Sequence, residues 1–232
     1  MIARRAALTF RRGESAQELS HAQALGAWEA ALAATTLPLQ LTDGRRPRPR
    51  FALVAQLPIG YTSDCEVVEL FLTGHAPPET IVSSVNLRMP SGMLVTGCDF
   101  LPDGGPSLRS QLRWAEYRLT LGPVPAQELE GSIDSFFSAP AMPWREQIEG
   151  KVKEFDLRAL VDDLWVEVSE GGTALGMRLD ASANGTGRPD SVVGGLGLPE
   201  PLQRHRTRLL FAYLPQAIVV WRRSGRFEST ER

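Results

Sequence analysis

Four arginines lie within six positions of one another, interleaved with two prolines, in a chain whose formal net charge is −2. They are Arg45, Arg46, Arg48 and Arg50. Proline fixes its own backbone and restrains the preceding residue to extended conformations, so these guanidinium groups cannot gather on one helix face. Because each guanidinium can bind two oxygens at once, the array predicts a site for a ligand with many anionic oxygens. The alternative is a solvated, arginine-rich surface loop.

A second candidate is the pair Ser20-His21, at the start of a predicted helix. A histidine there could donate to a phosphate, helped by the positive end of the helix and its unpaired backbone N–H groups. It could also act as a general base. A histidine that only caps or packs the helix is the third interpretation. Ser20 and His21 therefore join the four arginines as predicted ligand-binding residues, and His21 is the candidate for a catalytic role.

Further charged residues could enlarge the anion-binding surface or serve the fold alone. One group lies near the N-terminus and comprises Arg4, Arg5, Arg11 and Arg12. Another runs from Arg204 to Arg208. Asp156 and Arg158 are two positions apart, which places them on one face of a predicted strand. A ligand clamp is possible there, but the pattern favours a structural ion pair.

The sequence predicts no metal and no cofactor. Cys65 and Cys98 are too few for a disulfide framework and lack the spacing of a metal site, so buried thiols are expected. His21, His75 and His205 are far apart and form no metal-binding pattern. The chain also has no phosphate-binding glycine loop of the P-loop type and no Gly-x-Ser-x-Gly nucleophile motif.

Composition places the chain among folded proteins. It has 232 residues, of which 43% are apolar and 22% charged, enough for a core and against global disorder. Apolar runs stay shorter than the roughly 18–20 residues that span a bilayer, and early arginines interrupt any secretory signal. We expect a cytoplasmic protein without a membrane partner.

Hydrophobic periodicity and turn residues predict an alternation of strands and helices. Strands are predicted at residues 6–10, 37–41, 51–57, 66–72, 93–100, 115–121, 151–157, 165–168, 176–179 and 206–213, and a last apolar stretch follows at 218–221. Helices are predicted at residues 14–34, 77–87 and 125–137, with a short one opening at 188–190. The polar segment after residue 221 is expected to fray.

Element order predicts an α+β fold made of two tandem ferredoxin-like (β-α-β-β-α-β) halves. The Pro-Asp-Gly-Gly-Pro segment at 102–106 is the strongest linker signal in the chain. We therefore predict an N-terminal half at residues 1–103, which carries the histidine and the arginines, and a C-terminal half at 104–232.

Several short motifs follow one another along most of the chain. They are Gly13, Ser20-His21, Leu37-Pro38, the arginine-proline segment at 44–50, the Leu-Pro-Ile-Gly segment at 57–66, Met89-Pro90-Ser91-Gly92, Ala115-Glu116-Tyr117-Arg118 and the Lys-Val-Lys segment at 151–158. In order and spacing they resemble a bacterial domain of unknown function, the radical-SAM-linked domain, along most of the chain. That domain often sits at the C-terminus of a cobalamin-binding radical-SAM protein or is encoded beside one.

The resemblance implies a radical-SAM protein as partner and, more weakly, a connection with RNA maturation. It brings no known activity. The chain departs from the family pattern where Ala-Gln-Ala replaces Leu-Asp-Leu at 22–24 and where Arg45 and Arg46 replace an aromatic residue and an asparagine. The chain cannot itself be a radical-SAM enzyme, because the iron–sulfur cluster of those enzymes is bound by three closely spaced cysteines.

These observations lead to one favoured function and two alternatives. The favoured function is a non-catalytic accessory module that binds RNA or another phosphate-rich substrate in association with a radical-SAM partner. The first alternative is a metal-independent RNA-processing enzyme that uses His21. The second is a protein-interaction adaptor.

Overall fold

The computed structural model describes residues 4–148, 150–169, 172–183 and 185–212. Within them the strands are β1 (Arg4–Arg12), β2 (Phe51–Leu53), β3 (Thr62–Leu72), β4 (Met93–Leu101), β5 (Leu112–Thr120), β6 (Pro143–Ile148), β7 (Lys151–Asp156), β8 (Val161–Ser169), β9 (Gly172–Asp180) and β10 (Gln203–Phe211). The helices of the same ranges are α1 (His21–Ala33), α2 (Pro78–Asn86), α3 (Leu108–Gln111), α4 (Ala126–Ser138) and α5 (Pro189–Gly195). The predicted α+β class is confirmed.

One eight-stranded sheet organises the molecule. Its strand order is β4-β1-β3-β10-β5-β9-β8. The eighth strand, β2, pairs with residues 68–70 of β3, beyond the residues of β3 that pair with β10. Neighbouring strands are antiparallel except β3 and β10, which run parallel with Thr62 opposite His205 and Ser63 opposite Arg206. Strands β6 and β7 form a separate antiparallel hairpin. β10 thus joins the sheet beside β3, although the two strands are far apart in sequence.

The helices α1 and α2 cover one face of the first half of the sheet. Alternate residues of β1 point to that face, and Leu8 and Phe10 are buried there with Trp28 of α1 and Ile81 of α2. The Phe10 and Trp28 rings meet edge to face with centroids 5.0 Å apart, a favourable aromatic geometry. The buried apolar residues of α1 and α2 therefore fix both helices on the sheet.

The second half follows the same plan. Tyr117 and Leu119 of β5 are buried with Leu129 and Phe136 of α4 and with Val192 of α5. Pro125 precedes α4 and Pro189 opens α5, positions where a missing N–H costs nothing. These helices close the second part of the core.

Several predicted elements differ from the observed ones. The helix predicted at 14–34 is a short 3₁₀ turn at Glu14–Ala16 followed by α1, because Ser20 and Gln23 form a capping box that starts a new helix at His21. The strand predicted at 51–57 ends at Leu53. The strand predicted at 37–41 is reduced to single bridges from Leu39 and Leu41. The apolar stretch at 218–221 and the tail that was expected to fray lie outside the described residues.

No helix in the described ranges is both long and apolar enough to cross a membrane.

Candidate functional site

The arginine-proline segment forms a small hairpin-like loop at the edge of the sheet. We call residues 43–50 the arginine loop. Its base is closed by hydrogen bonds from the Thr42 backbone N–H to the Arg48 carbonyl, 2.8 Å, and from the Arg50 N–H to the Gln40 carbonyl, 2.7 Å. Gln40 in turn donates to the carbonyl of Phe71, at 2.8 Å, so the loop is fastened to the end of β3. The loop is therefore a fixed projection rather than a free segment.

The four guanidinium groups divide into two pairs. Arg48 lies 3.4 Å from the Glu29 carboxylate of α1, and the Arg50 guanidinium lies over the Phe71 ring, 4.4 Å from its centroid. Arg45 and Arg46 stand exposed at the tip and have no hydrogen-bond or ion-pair partner among the described residues. Two arginines thus hold the loop to the fold, and two present unneutralised charge to solvent.

The turn before the tip arginines depends on one glycine. Gly44 has a φ of 128°, a backbone conformation that side chains disfavour. Its position lets the chain reverse directly before Arg45 and Arg46, and both prolines that follow have trans peptide bonds.

Ser20 and His21 occupy the start of α1 as the sequence predicted. The Ser20 hydroxyl accepts from the Gln23 N–H at 3.3 Å, and the Gln23 side chain accepts from the Ser20 N–H at 2.8 Å. Burial, together with the positive charges of Arg109 and Arg12, lowers the pKa of His21. His21 is therefore neutral near pH 7, a state that suits proton transfer better than charge attraction.

Ser20-His21 and the arginine loop are connected through α1. The Arg48 guanidinium of the loop lies 3.4 Å from the carboxylate of Glu29, which follows His21 by eight residues in α1. Eight helical residues span about 12 Å. Among the described residues no contact joins the loop arginines to Ser20 or His21, so the predicted residues form two places along α1 rather than one site.

Two of the N-terminal arginines serve the fold. The Arg12 guanidinium is buried and donates to the carbonyls of Ala16, Gln17 and Leu19, which holds the segment before α1. Arg5 bridges the Glu69 carboxylate, at 2.6 Å, and the 102–106 segment through the carbonyls of residues 105 and 106. Neither guanidinium enlarges a surface patch.

The arginines of β10 are also held by acidic partners. Arg206 is buried against Glu66 of β3, and Arg208 lies 3.4 Å from Glu116 of β5. Arg204 pairs with Glu200 and with Asp190 of α5. This cluster does not present free positive charge as the arginine loop does.

Asp156 and Arg158 do not form the predicted ion pair. The Asp156 carboxylate instead accepts from the backbone N–H groups of Met142, at 2.8 Å, and Arg158, at 3.0 Å. The Arg158 guanidinium lies over the Phe137 ring and donates to the Val161 carbonyl. The chain turns after Asp156, at the end of β7, so the two side chains no longer share a strand face.

The sequence analysis missed a polar group at the seam between β3 and β10. The Thr62 hydroxyl lies 2.8 Å from Nδ1 of His205, and Nε2 of His205 lies 3.5 Å from Asp64. Arg11 pairs with the same Asp64 at 3.3 Å. Burial lowers the pKa of His205 despite the nearby Asp64 carboxylate. Only the long-range register of β10 on β3 brings these residues together, and the local sequence carries no signal of it.

The cysteines are buried or half-buried thiols, as predicted. Burial raises the pKa of each to about 12. The described ranges contain no group of three His, Cys, Asp or Glu side chains that could hold a metal ion.

Residues 5–189 match a family described as an uncharacterized protein conserved in bacteria, DUF2344. The chain belongs to this family. No curated protein matches the chain. Among solved structures, it is similar to the crystal structure of a Cbf5-Nop10-Gar1 complex, at 13% identity and a TM-score of 0.47, over 88% of this chain and 48% of that one. The match thus spans about half of that chain's length, and at this level it identifies no function for this DUF2344 protein.

Proposed function

We propose that this DUF2344 protein is a non-catalytic module that binds RNA, or another phosphate-rich ligand, through the arginine loop. The observation that carries the proposal is the state of Arg45 and Arg46. Both are exposed at the tip of a loop whose backbone is fixed, and neither has an acidic partner among the described residues. Unneutralised guanidinium groups carried on a hydrogen-bonded loop bind phosphate oxygens without first having to break an internal ion pair.

The charge balance of the chain limits the size of this surface. A net charge of −2 is unusual for a nucleic-acid-binding domain, which is commonly basic. The other arginine clusters at β1 and β10 are largely neutralised by Glu66, Glu69 and Glu116. The proposed contact is therefore a small, local one at the loop, supported by Arg48 and Arg50 behind the tip.

A double substitution tests the proposal. Arg45→Ala/Arg46→Ala should weaken binding of fluorescent cellular RNA at low salt without lowering the melting temperature. The matched control is Arg88→Ala/Arg113→Ala, which removes the same charge from two exposed residues outside the arginine loop. Equal affinity in both double variants would contradict a specific role for the loop.

The association with a radical-SAM protein is a further part of the proposal, and it rests on the sequence motifs. Co-expression with the radical-SAM protein encoded nearest to its gene should yield a complex that survives size-exclusion chromatography. Separate elution under all salt conditions would remove the partner from the proposal.

The neutral state of His21 supports one alternative, an RNA-processing enzyme. A general base at neutral pH needs an unprotonated imidazole, and the lowered pKa of His21 provides it. This alternative predicts RNA cleavage in the presence of EDTA that His21→Ala abolishes. Cleavage that persists in His21→Ala would exclude it.

We also infer that the two halves are tandem ferredoxin-like units divided near residue 103. The strands of the first half lie in the order β4-β1-β3-β2 and those of the second in the order β10-β5-β9-β8, with antiparallel neighbours in each. If the strands of each half are numbered along the chain, with the separate β6–β7 hairpin left out, both halves have the sheet order fourth, first, third, second. This shared order supports the inference. Separate expression of residues 1–103 tests whether that half folds alone, and an unfolded product would favour a single cooperative domain.

A further inference from the structure

We infer that the arginine loop recognises unpaired nucleotides, with the guanidinium of Arg50 and the ring of Phe71 beneath it as a stacking platform for a base. This inference deepens the proposed function and rests on it. It is carried by the contact between Arg50 and Phe71, which the proposal of phosphate binding by Arg45 and Arg46 does not use.

The Arg50 guanidinium is held in place on one side only. Its carbon lies 4.4 Å from the Phe71 centroid, while the residue is exposed to solvent. The Arg50 N–H donates to the Gln40 carbonyl, and the Arg50 carbonyl accepts from the Phe71 N–H at 3.3 Å. The backbone on both sides of the contact is thus fixed. The guanidinium carbon lies over the ring, and the Arg50 side chain remains exposed to solvent.

A guanidinium plane on an aromatic ring is suited to a nucleobase. Proteins that bind single-stranded RNA stack bases on aromatic rings and on arginine planes. An anion alone would not need this arrangement, because phosphate contacts depend on charge and hydrogen bonds rather than on a flat surface.

The same loop can reach the backbone of the strand whose base is stacked. Arg46 precedes Arg50 by four residues, so their backbones are at most about 14 Å apart. The tip arginines Arg45 and Arg46 carry unneutralised charge on this short loop. A short single strand can therefore place a base at Arg50 and phosphates at the tip.

Duplex RNA cannot use the platform. Its bases are stacked within the helix, and only their edges and the phosphates are accessible. The inference therefore predicts a preference for single strands that phosphate binding by itself would not produce.

The test compares an unstructured, fluorescein-labelled 12-nucleotide RNA with the same strand annealed to its complement. We expect the wild-type protein to bind the single strand about tenfold more tightly than the duplex. Arg50→Lys keeps the charge but loses the plane, so it should weaken single-strand binding by about fivefold or more. Phe71→Leu should have a similar effect at an unchanged melting temperature.

Arg158→Lys is the matched control, because the Arg158 guanidinium carbon also lies 4.4 Å from the centroid of a phenylalanine, Phe137, but outside the arginine loop. It should change affinity by less than about twofold, since the charge is kept and the loop is untouched. Equal or tighter binding of the duplex, or an Arg50→Lys effect no larger than that of Arg158→Lys, would overturn the inference and leave phosphate binding by the loop intact. Failure of the wild-type protein to bind either RNA would overturn the proposed function as well.

Discussion

Arg206 of β10 donates to both carboxylate oxygens of Glu66 of β3, at 3.0 and 3.1 Å, across the parallel seam of the sheet. The two side chains are only 3% and 4% exposed. Arg206 also donates to the hydroxyl of Tyr117, at 2.9 Å, and to the carbonyl of Gln56, at 2.6 Å. Although burial would lower the pKa of Arg206, the adjoining Glu66 carboxylate raises it. This satisfied ion pair ties β10 to β3, in the first half of the chain.

Removing one member of this pair should strongly destabilise the protein. Arg206→Met leaves the Glu66 carboxylate buried without its cation, which costs about 3–5 kcal/mol in comparable buried pairs. Urea unfolding followed by circular dichroism measures the change. The control is Arg11→Ala, which breaks the exposed pair with Asp64 and should cost less than about 1 kcal/mol. Similar losses in both variants would contradict a special role for the seam.

Gly176→Ala should destabilise the second half of the sheet. The Trp165 ring lies so close over Gly176 that an added Cβ would come within 2.1 Å of it. The ring would have to move and lose its hydrogen bond to Glu167, so we expect a lower melting temperature and altered tryptophan fluorescence. Gly131→Ala is the matched control, because a Cβ there, in α4, meets nothing within 4 Å. Gly131→Ala should stabilise the protein by about 0.5–1 kcal/mol. A Gly176→Ala protein that is as stable as the Gly131→Ala protein would contradict the packing account.

Stability should fall on mild acidification through His21 and His205. Burial lowers the pKa of both below the ordinary value of 6.5. Between pH 6.5 and the lower pKa of the folded state, the unfolded chain binds more protons than the folded chain. The contribution of the two histidines to the free energy of unfolding is therefore complete above about pH 6.5 and is lost as the pH falls. Urea unfolding at pH 7.5, 6.5 and 5.5 measures it. His21→Gln/His205→Gln should show a shallower loss than wild type, and identical profiles would contradict the assignment.

Both thiols should be inert in the folded protein. Their pKa values of about 12 leave almost no thiolate at pH 8, and the thiolate is the reactive form. Ellman's reagent at pH 8 should react slowly with the native protein and rapidly with two thiols per chain in guanidinium chloride. A fast reaction with one native thiol would show that Cys65 or Cys98 is accessible.

Local patterns predicted most of the strands and helices. Alternation identified β1, β3 and β4, and the prolines near the starts of α2 and α4 located those helices to within about two residues. The first helix was predicted to begin at residue 14, and the capping box of Ser20 and Gln23 instead starts it at His21. These elements depend on interactions between residues close in sequence.

Long-range pairing could not be predicted in the same way. The position of β10 beside β3 joins Thr62 to His205 and Glu66 to Arg206, and no local pattern encodes either contact. Of the β6–β7 hairpin, β7 was predicted and β6 was not, because Pro143–Ile148 has no strong strand pattern of its own. The arginine loop was found by composition, but its division into two anchored and two free arginines depends on Glu29 and Phe71.

The salt dependence of RNA binding tests the central claim most directly. Each phosphate contact on a single strand contributes about 0.7 to the slope of log affinity against log salt concentration. If Arg45 and Arg46 each contact a phosphate, Arg45→Ala/Arg46→Ala should lower the affinity and reduce that slope by about 1.4 relative to wild type. The Arg88→Ala/Arg113→Ala variant should keep the wild-type slope. An unchanged slope in the loop variant, or no RNA binding by the wild-type protein at low salt, would contradict the account.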